Sequence, residues 1–436
     1  MIIVYIAVVL CQFRIIHNNQ TMNDFNFLCN PKYGEVTENM SLERLIVFAR
    51  NGDRSPEQGR NKGWSKRICI KCRRTRCFLV HCEHGMLTVK GYKQGHDLAG
   101  FIKKEYYPRF SYKNISYVRR RKHPFHDYIQ KRTFNNTDYN QIINNVNMGE
   151  NIDGSDMKSA VSNNVDSSTG SIFADVKIQG YFYKNNRNYV FLRSITEALE
   201  YSSLTLHPVS NLGCKKECLD VRNSLFSKND TKELISGGEF DRIIGSLCNE
   251  VPIECSRFDC DLMKMEDYMT QMRMNFEDNL AKMKEDITST AVDFGELSQF
   301  ILSILTNNDI SIVSVTGETL VTLLAGLNTK NSKLVPYASA VFIELWKDKK
   351  GKEFYGVKYN GKRMKIGLFK EDFVEKDQFV KFLKMFAKHN SRIAEICKIN
   401  IKSMNKDELL SLKRERVRKM LDPLIKKLHE RRLLMK

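Results

Sequence analysis

The chain has 436 residues, enough for one large or two ordinary domains with a sizeable core, and too many for a miniature scaffold held by staples alone. Its formal net charge of +19 points to acidic partners, namely phosphorylated substrates, anionic polysaccharide, nucleic acid or a membrane surface, and leaves the fold open. Twelve cysteines are many for a cytosolic protein without an obvious metal site.

The first residues, MIIVYIAVVLCQF, are apolar for about thirteen positions before Arg14. That is short of the roughly 20 residues a bilayer span needs and suits the core of a signal peptide. Residues 1–22 are read as a signal peptide or short signal anchor, with a buried N-terminal strand as the competing reading. Five N-x-S/T sequons, at Asn19, Asn39, Asn114, Asn135 and Asn229, agree with passage through the secretory pathway. Cys11 lies in the signal, so eleven cysteines remain and at least one is unpaired or pairs with another chain.

Leu45–Pro56 reads LIVFARNGDRSP. Its branched apolar run predicts a buried strand, and Gly52 a tight turn at the strand end. Arg50 and Arg54 flank that turn, and two guanidinium forks at a strand end can grip a phosphate through parallel hydrogen bonds. A core strand followed by a loop with two solvated arginines is the plainer reading of the same residues.

Residues 57–82 are basic and cysteine-rich. Cys69, Cys72, Cys77 and Cys82 have a C-x2-C-x4-C-x4-C spacing. It is too wide in its second half and too short between pairs for a zinc knuckle, and in an oxidising compartment disulfides are the expected outcome. The Lys/Arg run is either a polyanion-binding loop or a solvated one. Over 82–110 a turn leads into an amphipathic helix with Tyr92, Leu98, Ile102 and Tyr106 at helical spacing.

ISYVRRRKHPFHDY reads as a strand running into a basic turn. Residues 135–171 are rich in Asn, Asp, Ser and Gly and are expected to form a flexible insert. Residues 172–300 are expected to be mainly helical, with a methionine-rich stripe from Met263 to Phe294 that serves packing. Ile310–Val315 predicts a strand, with a helix from about Glu318, and Pro336–Lys362 two antiparallel strands around a Lys/Gly turn. From Cys397 the tail has thirteen Lys/Arg against five Asp/Glu. Leu409, Leu412, Val417, Leu421, Leu424 and Leu428 give it an apolar face, interrupted by Pro423, that either packs on the core or touches an anionic surface.

Together these stretches resemble the histidine acid phosphatases. Arg50–Pro56 is similar to R-H-G-x-R-x-P, with Asn51 in place of the nucleophilic histidine. Gly85, Leu87, Thr88, Gly91, Gln94, Gly100 and Tyr106 match the family's next segment in order. Arg119 is the candidate for the arginine of V-R-S. Ser314, Thr319, Leu320, Leu323, Leu324 and Leu327 match S-x-H-D-x-T-L-x-x-L-L-x-A-L, with Thr316 and Gly317 at the His-Asp positions and Glu318 displaced by one. PYASAVFIELW with the later YNG is the most specific match, read as sheet edge and not chemistry. SLCNEVPIECSRFDC resembles the 2-phosphoxylose phosphatase branch.

The resemblance implies an α/β fold: a three-layer α/β/α core with a mixed, mostly parallel sheet and an inserted helical cap. The core would take 42–134 and 305–396 and the cap 172–304, while the signal, the 135–171 insert and the basic helical tail 397–436 lie outside the resemblance. It implies a phosphate site lined by Arg50, Arg54 and Arg119. It also implies that the nucleophile (Asn51) and the second histidine and acid (Thr316, Gly317) are lost, leaving Glu318 as a weak substitute acid. The expected partners are phosphate or a phosphorylated sugar, or else glycosaminoglycan or another polyanion. No nucleic acid, cofactor or metal is expected, and membrane contact only through the N-terminal segment. A Golgi or extracellular location is expected, either for an impaired relative, for an active phosphomonoesterase on a phosphorylated sugar, or for a polyanion-binding secreted protein.

Overall fold

The computed structural model describes residues 27–57, 64, 67–73, 76–110, 177–183, 185–199, 206–209, 218, 220–221, 238–249, 251, 262–285, 287–306, 308–327, 334–367, 369–401 and 403–433. The signal segment, Arg119 and the 135–171 insert lie outside them. In chain order the elements are β1 (Ser41–Arg50), β2 (Ile68–Arg73), β3 (Arg76–His81), α1 (Val89–Glu105), β4 (Ile178–Tyr183), α2 (Asn186–Ala198), β5 (Leu206–Val209) and α3 (Gly238–Cys248). They continue as α4 (Leu262–Glu285), α5 (Ile287–Ile304), β6 (Ile310–Val315), α6 (Gly317–Gly326), β7 (Ala340–Lys347), β8 (Glu353–Tyr359), β9 (Lys362–Met364), β10 (Phe373–Glu375), α7 (Lys376–Lys398) and α8 (Lys406–Leu433).

One mixed sheet runs β10-β8-β7-β1-β6-β4-β5, with β9 paired to β8. β1, β6, β4 and β5 are mutually parallel, while β7 is antiparallel to β1 and β8 to β7. Five of the eight strands therefore point the same way: β1, β4, β5, β6 and β8. Within β1, Leu45, Val47 and Ala49 enter one core layer and Ile46 and Phe48 the other. Burial of both faces is what an unbroken apolar run requires of a central strand.

The first layer is completed by α1 and α2 through Tyr92, Leu98, Ile102, Phe191 and Ile195. The second is completed by α5, α6, α7 and α8 through Phe294, Leu323, Phe382 and Leu421. The result is a three-layer α/β/α core. The tail helix α8 buries Val417, Leu421 and Leu424 against it, so its apolar stripe packs on the core.

Two expectations are corrected. The helical cap read over 172–304 is not bounded that way: the range is mainly helical, but β4 and β5 come from it and pair beside β6 in the main sheet. Their short apolar runs carry too little periodicity to separate strand from helix. Pro336–Lys362 does not form the edge, because β7 pairs with β1 at the middle of the sheet. The disulfides expected of the Cys69–Cys82 stretch are present, in a hairpin: Cys69 pairs with Cys82 and Cys72 with Cys77 across β2 and β3. Two further disulfides, Cys29–Cys248 and Cys218–Cys397, join segments 219 and 179 residues apart.

A buried charge network ties the N-terminal lead-in to β7 and β8. Glu344, fully buried, accepts from Tyr106 Oη at 2.6 Å and Trp346 Nε1 at 2.9 Å and faces Arg363 at 2.7 Å. Glu38 closes the network on Lys358 at 2.8 Å and on Arg363. Burial alone would raise the Glu38 pKa, but the Lys358 and Arg363 hydrogen bonds outweigh it and hold it below the usual glutamate range. A carboxylate with a depressed folded pKa stabilises the fold above its unfolded pKa and loses that contribution as the pH falls through the folded value. Glu38→Gln is therefore expected to cost about 3 kcal/mol at pH 7, since it leaves Lys358 short of a counter-charge. In denaturant titrations the gap to the parent protein should close as the pH drops below the glutamate pKa of 4.5.

Candidate functional site

The parallel pairing of β1 with β6 sets Arg50 against Val315 in register, so both strands end at the same edge of the sheet. The loop after β1 and the start of α6 are thereby brought together. The C-terminal edge of parallel strands is where α/β sheets bind ligands. Asn51 is buried between neighbours: its N–H donates to Val315 O at 3.1 Å and its C=O accepts from Ala338 N at 3.2 Å. Ala338 has φ +56°, a left-handed conformation uncommon for alanine, and it is pinned on its other side by Tyr33 Oη at 2.6 Å.

Gly52 is needed for closeness of approach. A Cβ there would stand 2.4 Å from Gly91 O, and one on Gly91 would stand 2.1 Å from Asp53 O. The loop backbone thus lies directly on the first turn of α1. Thr88 caps that helix, accepting from Gly91 N at 3.0 Å. The Thr88 hydroxyl also reaches the Asp53 carboxylate at 2.7 Å, and Gln94 Oε1 accepts from Asp53 N at 2.7 Å.

The two arginines meet different surroundings. Arg50 donates through Nη1 to Val335 O and lies over the Tyr337 ring at 4.4 Å. Among the described residues it has no carboxylate within ion-pair distance. Burial, with the nearby Arg54 charge adding to it, pulls its pKa below the usual arginine value. Arg54 is neutralised in place, by Asp241 of α3 at 3.0 Å and Glu57 at 3.2 Å. Burial opposes its charge, yet Asp241, Tyr337, Glu57 and Asp53 together outweigh that and raise its pKa. Glu57 also pairs with Arg187, and Tyr337 Oη donates to Asp241 at 3.4 Å.

Thr316 is the N-cap of α6, accepting from Thr319 N at 3.3 Å. Gly317 stands against Arg50: a Cβ on it would be 3.1 Å from Arg50 Nε. Glu318 is exposed in the first turn of the same helix. The structure therefore brings Arg50, Asn51, Thr316 and Gly317 to one place, with Arg54 beside it. Asp241, Tyr337, Val335 and Gln94 also build this place, though the sequence reading gave none of them a role in the site and Gln94 only as a motif match. Tyr337 was legible as part of PYAS; Asp241 sits in no motif and is supplied by packing of α3. Of the nearby histidines, His81 lies on β3 opposite Ile68 and His96 packs on Tyr92 along α1.

No family model and no curated protein matches the chain. Solved structures similar to it include the apo phytase of Hafnia alvei, with a TM-score of 0.44, 9% identity and coverage of 84% of this chain and 100% of that one. They also include the Citrobacter braakii phytase (TM-score 0.41, 9% identity, 80% and 98%) and the Klebsiella sp ASR1 phytase (0.41, 10%, 82% and 98%).

Two outcomes test this geometry. Gly91→Ala sets a methyl group against backbone that cannot give way, so a stability loss of at least about 1–3 kcal/mol is expected in thermal or denaturant unfolding. Burial raises the Asp53 pKa from 3.8 to about 6, so the folded state holds this proton more tightly than the unfolded chain. Stability should then fall as the pH rises through that window, by on the order of 3 kcal/mol, and stay reduced above it. Asp53→Asn should abolish that fall in unfolding midpoints measured between pH 4 and 7.

Proposed function

We propose that this chain is a histidine-acid-phosphatase-like protein of an oxidising compartment that keeps an arginine-lined anion cradle without phosphoryl-transfer chemistry. The observation that carries the reading is the meeting of Arg50 with Gly317, where a Cβ would lie 3.1 Å from Nε. This is the meeting the family resemblance requires between its arginine motif and its His-Asp motif. At that meeting point the residues are Asn51, Thr316 and Gly317.

The amide nitrogen of Asn51 has a delocalised lone pair and cannot attack phosphorus. Gly317 supplies no acid to protonate a leaving alcohol, and Thr316 spends its hydroxyl on capping α6. What persists is charge stabilisation. Arg50 has guanidinium N–H groups beyond the one given to Val335 O. The α6 N-terminus adds the positive end of its dipole beside Arg50. Arg54 is balanced by Asp241 and Glu57, so it orders the cradle while Arg50 takes the anion. Four disulfides among the described residues support an oxidising compartment. Arg119, the third arginine of the reading, lies outside those residues.

Calorimetry with inorganic phosphate, run beside an aryl-phosphate assay over pH 4–8, tests this. Binding without turnover is expected, weakened roughly 10–100-fold by Arg50→Ala, as loss of a charged hydrogen bond implies. The triple variant Asn51→His, Thr316→His, Gly317→Asp should gain phosphatase activity. Phosphate release by the unaltered protein that disappears in Arg50→Ala would show an active enzyme and sink the impaired reading.

A further inference from the structure

Helix α7 has two unlike faces. Phe379, Phe382, Leu383, Phe386, Ile393 and Cys397 are buried in the core. On the opposite face Lys381, Lys384, Lys388 and Arg392 are all exposed. Their spacing of i, i+3, i+7 and i+11 keeps them within an arc of about 80° and spreads them over roughly 16 Å of helix. Between Asp377 and Glu395, which bound the strip, the helix has no acidic residue.

The four cations have no carboxylate within ion-pair distance among the described residues. Some other lysines of the described surface are paired, Lys376 with Glu353, Lys352 with Glu375 and Lys419 with Glu415, and what sets the α7 cations apart is their alignment along one helix face. The field of the strip is felt locally. Burial first, then the charges of Lys388 and Arg392, hold the His389 pKa below its usual value.

We propose that this outer face of α7 docks a linear sulfated polysaccharide. A straight row of unpaired cations complements a linear polyanion through counterion release and charge-assisted contacts to sulfate. An anionic membrane fits less well, because the apolar residues of α7 are committed to the core and leave nothing to insert. A single-stranded nucleic acid fits less well too. The exposed large hydrophobics among the described residues, Phe27, Phe78, Met274 and Met404, all lie off α7, so the strip has no platform for bases to stack on. The disulfides also favour a compartment where sulfated glycans are the polyanions at hand.

The test uses the full chain and heparin as the probe. The strip variant replaces Lys381, Lys384, Lys388 and Arg392 by Ser. A control of equal charge replaces the exposed Lys349, Lys350, Lys362 and Lys365 by Ser. The strip variant is expected to bind heparin at least tenfold more weakly at 0.15 M salt, with the slope of log Kd against log salt reduced by roughly one per cation removed. The control should change less than threefold. A third variant, with the three strip lysines replaced by Arg, should bind like the parent. Equal weakening in strip variant and control would reduce the effect to net charge and overturn the proposal, as would parental binding in the strip variant. Tighter strip-dependent binding of single-stranded DNA or of anionic phospholipid vesicles than of heparin would overturn the choice of polysaccharide.

Discussion

The candidate site depends on a contact between two stretches of bare backbone. Gly52, just past the central strand, lies on Gly91 in the first turn of α1, and neither position has room for a Cβ. Because the chains touch there, Thr88 can cap α1 and hold the Asp53 carboxylate with one hydroxyl, and Gln94 can reach the Asp53 N–H. The loop leaves β1 along a single path. Arg50 is directed to Val335 and Tyr337, Arg54 to Asp241. Side chains of any size at the two glycines would part these layers and release both arginines from their positions.

Electrostatics then separates residues that look equivalent in sequence. Arg50 and Arg54 are four apart in one motif, yet Arg54 is held by two carboxylates and Arg50 by a carbonyl and an aromatic face. An arginine already balanced gains little from a bound anion, because it must exchange one negative partner for another. Arg50 makes no such exchange. The Cys29–Cys248 disulfide lies close to this arrangement: Gln94 Nε2 donates to Cys29 O and Lys90 Nζ to Cys248 O, at 2.6 Å for the latter. Helix α3, which supplies Asp241, is thus fastened to the lead-in that also meets Gln94.

Much of the fold was legible because its central elements state their periodicity plainly. The run Leu45–Ala49 buries both faces, Ile310–Val315 is the strand expected, and Tyr92, Leu98, Ile102 and Tyr106 form the buried line of α1 and its end. The strands β4 and β5 escaped because segments of six and four residues are too short to separate a strand period from a helical one. β7 was recognised as a strand and misplaced at the edge, since its residues describe a strand and not the strand's neighbours.

The sequence by itself determined the local chemistry: two arginines around a strand-end turn, an asparagine between them, and a Thr-Gly pair after a second strand. It also determined, through composition, that thiols would pair and that the net charge would be strongly positive. Only the tertiary structure decided which groups meet. Parallel pairing of β1 with β6, across some 260 residues of sequence, sets Gly317 against Arg50. Packing of α3 brings Asp241 to Arg54, and the α7 fold-face leaves four cations in line on the outside. Residue identity fixes what a side chain can do, while its counter-charge and its exposure are properties of neighbours far along the chain.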